Sequence, residues 1–301
     1  MNSLETLVGS GGDAEASRKL TQVYISLGRE LQTTLERLRA EGKDDQAKKV
    51  ADGFNLFLTR ISRRAEGNTF NSLYWVAETF MGMAAGYDTA EPGASPEAKG
   101  YYEEAAATYE TILAKIDEDP DFAPSATSKT GLQVRLAGCH RALGDFKKAQ
   151  TLLVRILLKS NMMVDAQMEA AYTYQAWGAE NPEAYMKAIL GGQKAKKDGQ
   201  TVNVIWGWGK IAKLVARNPN HSDIFHEARY NLALCRFKYA LSRSGVQKAE
   251  TLKRAQADIL ATERLFPKLG GPEWRTKYDS LLKAIQLEMG VSATGLPERN
   301  Q

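Results

Sequence analysis

Five residues of this chain recur, in order, 34 positions further on: Leu136, Ala137, His140, Leu143 and Gly144 map onto Ala170, Ala171, Tyr174, Trp177 and Gly178. Small, bulky and turn-forming positions keep their sequence across the offset. A period of this length holds a helix, a tight turn and a second helix, a unit whose apolar face cannot be buried alone and must be covered by a neighbour. The segments on either side must therefore also supply apolar helical faces.

They do. Asp13 is placed to cap a helix running to about Ala40, with Leu20, Val23, Tyr24, Leu27, Leu31, Leu35 and Leu38 at spacings of three and four. Asp44 or Asp45 opens a second, which carries Val50, Phe54, Phe57, Leu58 and Ile61 and ends in Arg63-Arg64 with Gly67 beyond. A third runs from about Thr69 through Phe80 and Met83. After a stretch rich in Gly, Pro, Ala and Ser at 86–95, Pro96 suits the first turn of a fourth that reaches Ile116. With nine prolines and no long alternating stretch, the expected class is all-α, one elongated domain over 13–290 between flexible ends at 1–12 and 291–301.

The segment 130–161 resembles a tetratricopeptide repeat: Leu136 and Ala137 match the family's large-small pair, Leu143 and Gly144 its turn, and Ala149 its small crossing residue. His140, Ile156 and Asn161 replace the usual Tyr, Ala and Pro. The match extends to 178 and returns over 222–267, where Tyr230, Asn231, Leu232 and Ala233 open a unit that Ala257, Ile259, Leu265 and Pro267 close. Between them lies an insertion holding Gln193-Lys-Ala-Lys-Lys197, expected as a hydrated loop. A helix is expected over 202–217, with one of Trp206 and Trp208 buried and the other exposed. A helix over 272–289 is expected to cap the array. The resemblance implies a right-handed superhelix of stacked antiparallel hairpins, a TPR-like solenoid of five hairpins and a cap.

Motifs for chemistry are sparse. Three histidines, His140, His221 and His226, give no zinc-ligand spacing; Tyr230 stands where His226-Glu227 would need a second histidine. Gly207-Trp-Gly-Lys210 lacks both the earlier glycine and the Ser or Thr of a phosphate loop. Cys139 and Cys235 sit in apolar helical patterns and read as buried thiols. Glu103, Glu104 and Glu110 read as a solvated face. No catalytic residue, metal or cofactor is expected. A net charge of +4, from 40 basic and 36 acidic residues, gives no bulk attraction for nucleic acid. No run of 18 apolar residues predicts a membrane span, and as written the chain reads as cytoplasmic; a leader preceding Met1 would make it exported.

The implied function is a non-catalytic scaffold that binds a protein or peptide, with self-assembly as a structural segment of a larger helical array as the alternative. In the family the first helix of each hairpin lines the groove. Carried over position by position, the resemblance implies groove residues Val134, Arg141, Met168, Tyr172, Gln175, Tyr230, Phe237 and Lys238, with Tyr172 and Phe237 as anchors replaceable without unfolding.

Overall fold

The computed structural model describes residues 14–64, 67–87, 94–197 and 200–297. Asp13, the segment 1–12 and the last residues 298–301 lie outside them. The described residues are helical but for one two-stranded hairpin, and the chain divides into two compact units, 1–143 and 144–301. The repeat-like segment 130–161 is therefore shared: its first helix belongs to one unit and its second to the other.

The first unit is built from α1 (Ala14–Ala40), α2 (Asp44–Ser62), α3 (Phe70–Ala85), α4 (Pro96–Glu118) and α5 (Ser128–Ala142). Each packs on the next in the chain. Local chemistry sets the boundaries. Thr69 and Ser72 form a reciprocal capping box at the start of α3, and Ser95 accepts the Ala98 N–H ahead of Pro96 at the start of α4. Pro120 cannot continue α4, and the chain turns through a short 3-10 segment, Pro120–Phe122. Phe54, Leu58, Leu73, Val76, Phe80, Tyr109 and Ile112 make the core. A polar chain running from the buried Tyr109 out to the exposed Arg135 pins α3, α4 and α5 together. The Tyr109 hydroxyl donates to Glu78, whose other oxygen pairs with Arg135 at 2.9 Å, and Arg135 lies over the Tyr74 ring.

The second unit contains α6 (Phe146–Lys159), α7 (Val164–Trp177), α8 (Glu183–Leu190), strands β1 (Gly192–Lys197) and β2 (Gln200–Ile205), then α9 (Gly207–Val215), α10 (Ser222–Leu241), α11 (Gly245–Leu265) and α12 (Pro272–Glu288). The stretch 193–197 is thus a strand rather than a loop, antiparallel to β2 with Lys197 opposite Gln200. The helix expected over 202–217 is cut to 207–215, because Thr201 to Ile205 pair in β2 instead. Gly191 and Gly207, both at positive φ, flank the hairpin where the chain leaves α8 and returns into α9. A Cβ on either would collide with backbone of the other segment, so the two glycines let entry and exit lie side by side.

Gln167, fully buried on α7, fastens this insertion. Its amide nitrogen donates to the Asn161 and Val204 carbonyls, both at 3.0 Å, and its oxygen accepts the Trp206 N–H at 2.8 Å. Trp206 and Trp208 are both buried, contrary to the expected split. They straddle the strand-to-helix junction, so the 100° per residue of a continuous helix does not separate them. The 291–297 part of the expected flexible tail is docked on α12. Gln286 accepts the Gly295 N–H and Asp279 the Leu296 N–H, each at 2.8 Å, and Leu296 is buried. Cys139 and Cys235 are buried free thiols.

Candidate functional site

The eight residues implied by the family resemblance fall in both units. Val134 and Arg141 lie half-buried on α5 of the first. The other six belong to the second, where four serve packing between helices. The Tyr172 ring meets Trp208 edge to face at 4.7 Å and its hydroxyl donates to Glu227. The Gln175 oxygen accepts the Trp208 indole N–H at 2.9 Å and the Cys235 thiol at 3.3 Å, and its amide donates to Asn231 at 3.2 Å. Tyr230 packs on Tyr278 and Trp274. Phe237 is only 9% exposed, in a cluster with Leu252, Ile259 and Ile285, and so is a core residue whose truncation would cut stability. Met168 on α7 is half-buried and Lys238 on α10 exposed; neither lines a described cavity.

A different surface of the first unit is hollowed into a groove. Between α2 and α4 runs a groove of about 680 Å³. Asp44, Ala47, Lys48, Asp52 and Asn55 lie along one stripe of α2; Pro96, Glu97, Gly100, Tyr101, Glu103 and Glu104 lie along one stripe of α4. Tyr87, just beyond α3, closes the groove by stacking on Tyr101, ring centroids 5.7 Å apart and planes 18° from parallel. The pair rests on the buried cluster of Ala84, Ala98 and Tyr102. Gly100 leaves an opening, since a Cβ there would meet nothing within 4 Å.

Among the described residues the lining holds five carboxylates against one ammonium, on a chain whose net charge is +4. Glu104 pairs with Arg63 at 2.7 Å, and Glu103 stands 4.0 Å from Lys99, both on the exposed rim. Asp44, Asp52 and Glu97 have no ion-pair partner among the described residues. The Asn55 carbonyl oxygen is shut off from solvent and accepts no hydrogen bond among them either.

Comparison with protein-family models, with curated proteins and with solved structures finds no match to this chain.

Among the described residues no three His, Cys, Asp or Glu side chains converge in a way that could hold a metal, the groove's carboxylates being spread along two helices. No helix there is long and apolar enough to cross a membrane. The perturbed ionisations belong to packing. Burial pushes the Cys235 thiol and the Tyr278 and Tyr230 hydroxyls up, and lowers His226 against the opposing pull of Asp223. The groove's residues were visible in the sequence as charged helix stripes, and Glu103 and Glu104 read there as a solvated face. What the stripes could not show is that they face each other across a cavity.

Proposed function

We propose that the chain is a non-catalytic binding module, built on helix hairpins resembling tetratricopeptide repeats, that takes an extended segment of another protein between α2 and α4. The groove itself carries the reading: it is preformed, bounded by two helices anchored in a common core, and ends on a stacked aromatic pair. A receptor already in its bound shape avoids the entropy of ordering loops. At 1.5 Å per residue the α4 stripe from Pro96 to Glu104 is about 12 Å long and the α2 stripe from Asp44 to Asn55 about 16 Å. Four or five residues of extended chain, at about 3.3 Å each, span such a length.

The family resemblance directs ligands to the first helix of each hairpin. In the pairs α1/α2 and α3/α4, the groove lies instead between the second helices. Two features favour it: the apolar and aromatic groups of the implied set are largely occupied by their own neighbours, whereas the α2 and α4 stripes retain open polar groups. Panning a peptide-display library on the purified chain and on Gly100→Leu tests the reading, because Leu at that open position fills the groove. Sequences enriched on the wild type and lost on the variant, with unchanged circular dichroism, are expected. No enrichment, or the same enrichment on both, overturns it.

A further inference from the structure

We infer that the segment this groove accepts is basic, a short stretch of Lys and Arg presented by another protein; the inference rests on the binding reading above and names its ligand. The first argument is a census of donors and acceptors. Among the described residues the lining offers five carboxylates as acceptors, while Lys48 is its one cationic donor. Whatever fills the groove must bring the missing donors. Arg and Lys bring five and three N–H groups each and no acceptor.

Charge points the same way. Helix dipoles account for Asp44 and Glu97, which sit in the first turns of α2 and α4. Asp52 and Glu103 lie further along their helices and gain nothing comparable, so they add repulsion to the free groove. The rim pairs do not relieve it durably. Arg63 is 70% and Lys99 63% exposed at the side chain, and ion pairs so open to water contribute little and exchange readily. An incoming guanidinium or ammonium replaces them without burying an unpaired charge. The Tyr87–Tyr101 stack at the groove's end supplies aromatic faces to a cation, the arrangement that favours Arg most. An acidic segment or a nucleic-acid backbone would meet the same carboxylates as repulsion.

The experiment uses the full chain and three fluorescein-labelled hexapeptides of one length, carrying four Lys/Arg, four Gln or four Glu, followed by anisotropy. The basic peptide is expected to bind about tenfold or more tighter than the Gln peptide and to weaken as salt rises from about 50 to about 200 mM, with the Glu peptide weakest. Asp52→Asn with Glu97→Gln should lower affinity for the basic peptide about tenfold, with only the small drop in thermal melt that losing the first-turn charge of α4 brings. Lys48→Glu, which adds a carboxylate and leaves the fold's core untouched, should raise it several-fold. Equal binding of the basic and Gln peptides, or indifference to both charge variants, overturns the inference. If display panning enriches peptides poor in Lys and Arg that Gly100→Leu rejects, the ligand is wrong and the groove right. If nothing is enriched, both fail.

Discussion

Replacing Gln175 by Leu separates a ligand-facing residue from a structural one. In the second unit its oxygen is the acceptor for the Trp208 indole N–H at 2.9 Å and the Cys235 thiol at 3.3 Å, and its amide is the donor to Asn231 at 3.2 Å. Trp208 is wholly buried and Asn231 nearly so, at 5% exposure, so neither finds water when the glutamine is gone. A buried polar group left without a partner costs about 1–3 kcal/mol. Two such groups set the loss at about 2–6 kcal/mol; the thiol, a weak donor, adds little. Leu keeps the volume, so a cavity contributes little, and its apolar burial returns about 1 kcal/mol at this half-buried site. The net expectation is a destabilisation of about 1–5 kcal/mol. Urea unfolding followed by tryptophan fluorescence measures it as a lower midpoint at unchanged slope. Trp208→Phe should lose part of the same energy, and the double variant less than the sum, because the two share one bond. A Gln175→Leu midpoint within about 0.5 kcal/mol of wild type would refute the structural reading and return Gln175 to the set of ligand-facing residues.

Gly100→Ala, in contrast, should stabilise the first unit by about 0.5–1 kcal/mol, since α4 gains a better helix former at a point where the new Cβ meets nothing; a lowered melting temperature would contradict the open groove. Glu78→Ala strands the Tyr109 hydroxyl, buried between α3 and α4, and should cost about 1–3 kcal/mol in urea unfolding. His226 is held neutral by burial against Phe225, Phe266 and the Gly270 turn, with its pKa below the usual histidine value. The unfolded chain therefore binds a proton first, and stability should fall as pH drops below about 6.5. His226→Phe should flatten that dependence, and a pH profile unchanged by the substitution would count against the assignment. Asp279→Ala removes the acceptor of the Leu296 N–H, and hydrogen exchange at Leu296 should rise at least tenfold while exchange in the middle of α10 does not change.

The helical class was legible because it rests on periodicity. The stripes through Phe54, Phe57, Leu58 and Ile61, and through Tyr109, Ile112 and Ile116, are buried as spaced, and the stop at Asp119-Pro120 falls where proline chemistry puts it. The strand pair was missed although its signal was present. The dipeptide Asp198-Gly199 is a strong sequence signal for a two-residue hairpin, and Thr201 to Ile205 is rich in β-branched residues. The repeat period overrode that signal, because a second helix was expected in this position. The docked 291–297 segment had a fainter mark, a single Leu296 between Gly295 and Pro297, which only the acceptors of α12 turn into a contact. Gln167 gives no warning at all. A glutamine in a helix is ordinary until three backbone groups converge on it.

The two sets of polar residues differ in whether folding has already used their bonding capacity. The family resemblance implies Tyr172 and Gln175 as groove residues from their positions on the first helix of a hairpin. Folding placed Glu227, Trp208 and Asn231 within hydrogen-bonding or ring-contact distance of them. Their chemistry is spent on holding α7 to α9 and α10, and a ligand could use it only by breaking those bonds. Asp44, Asp52 and Glu97 come from stripes that look ordinary, yet each keeps an ionic capacity that no described neighbour uses. Among surface groups, unspent capacity facing a cavity is a better mark of a binding face than residue type. A partner then gains contacts in full, without first displacing internal ones.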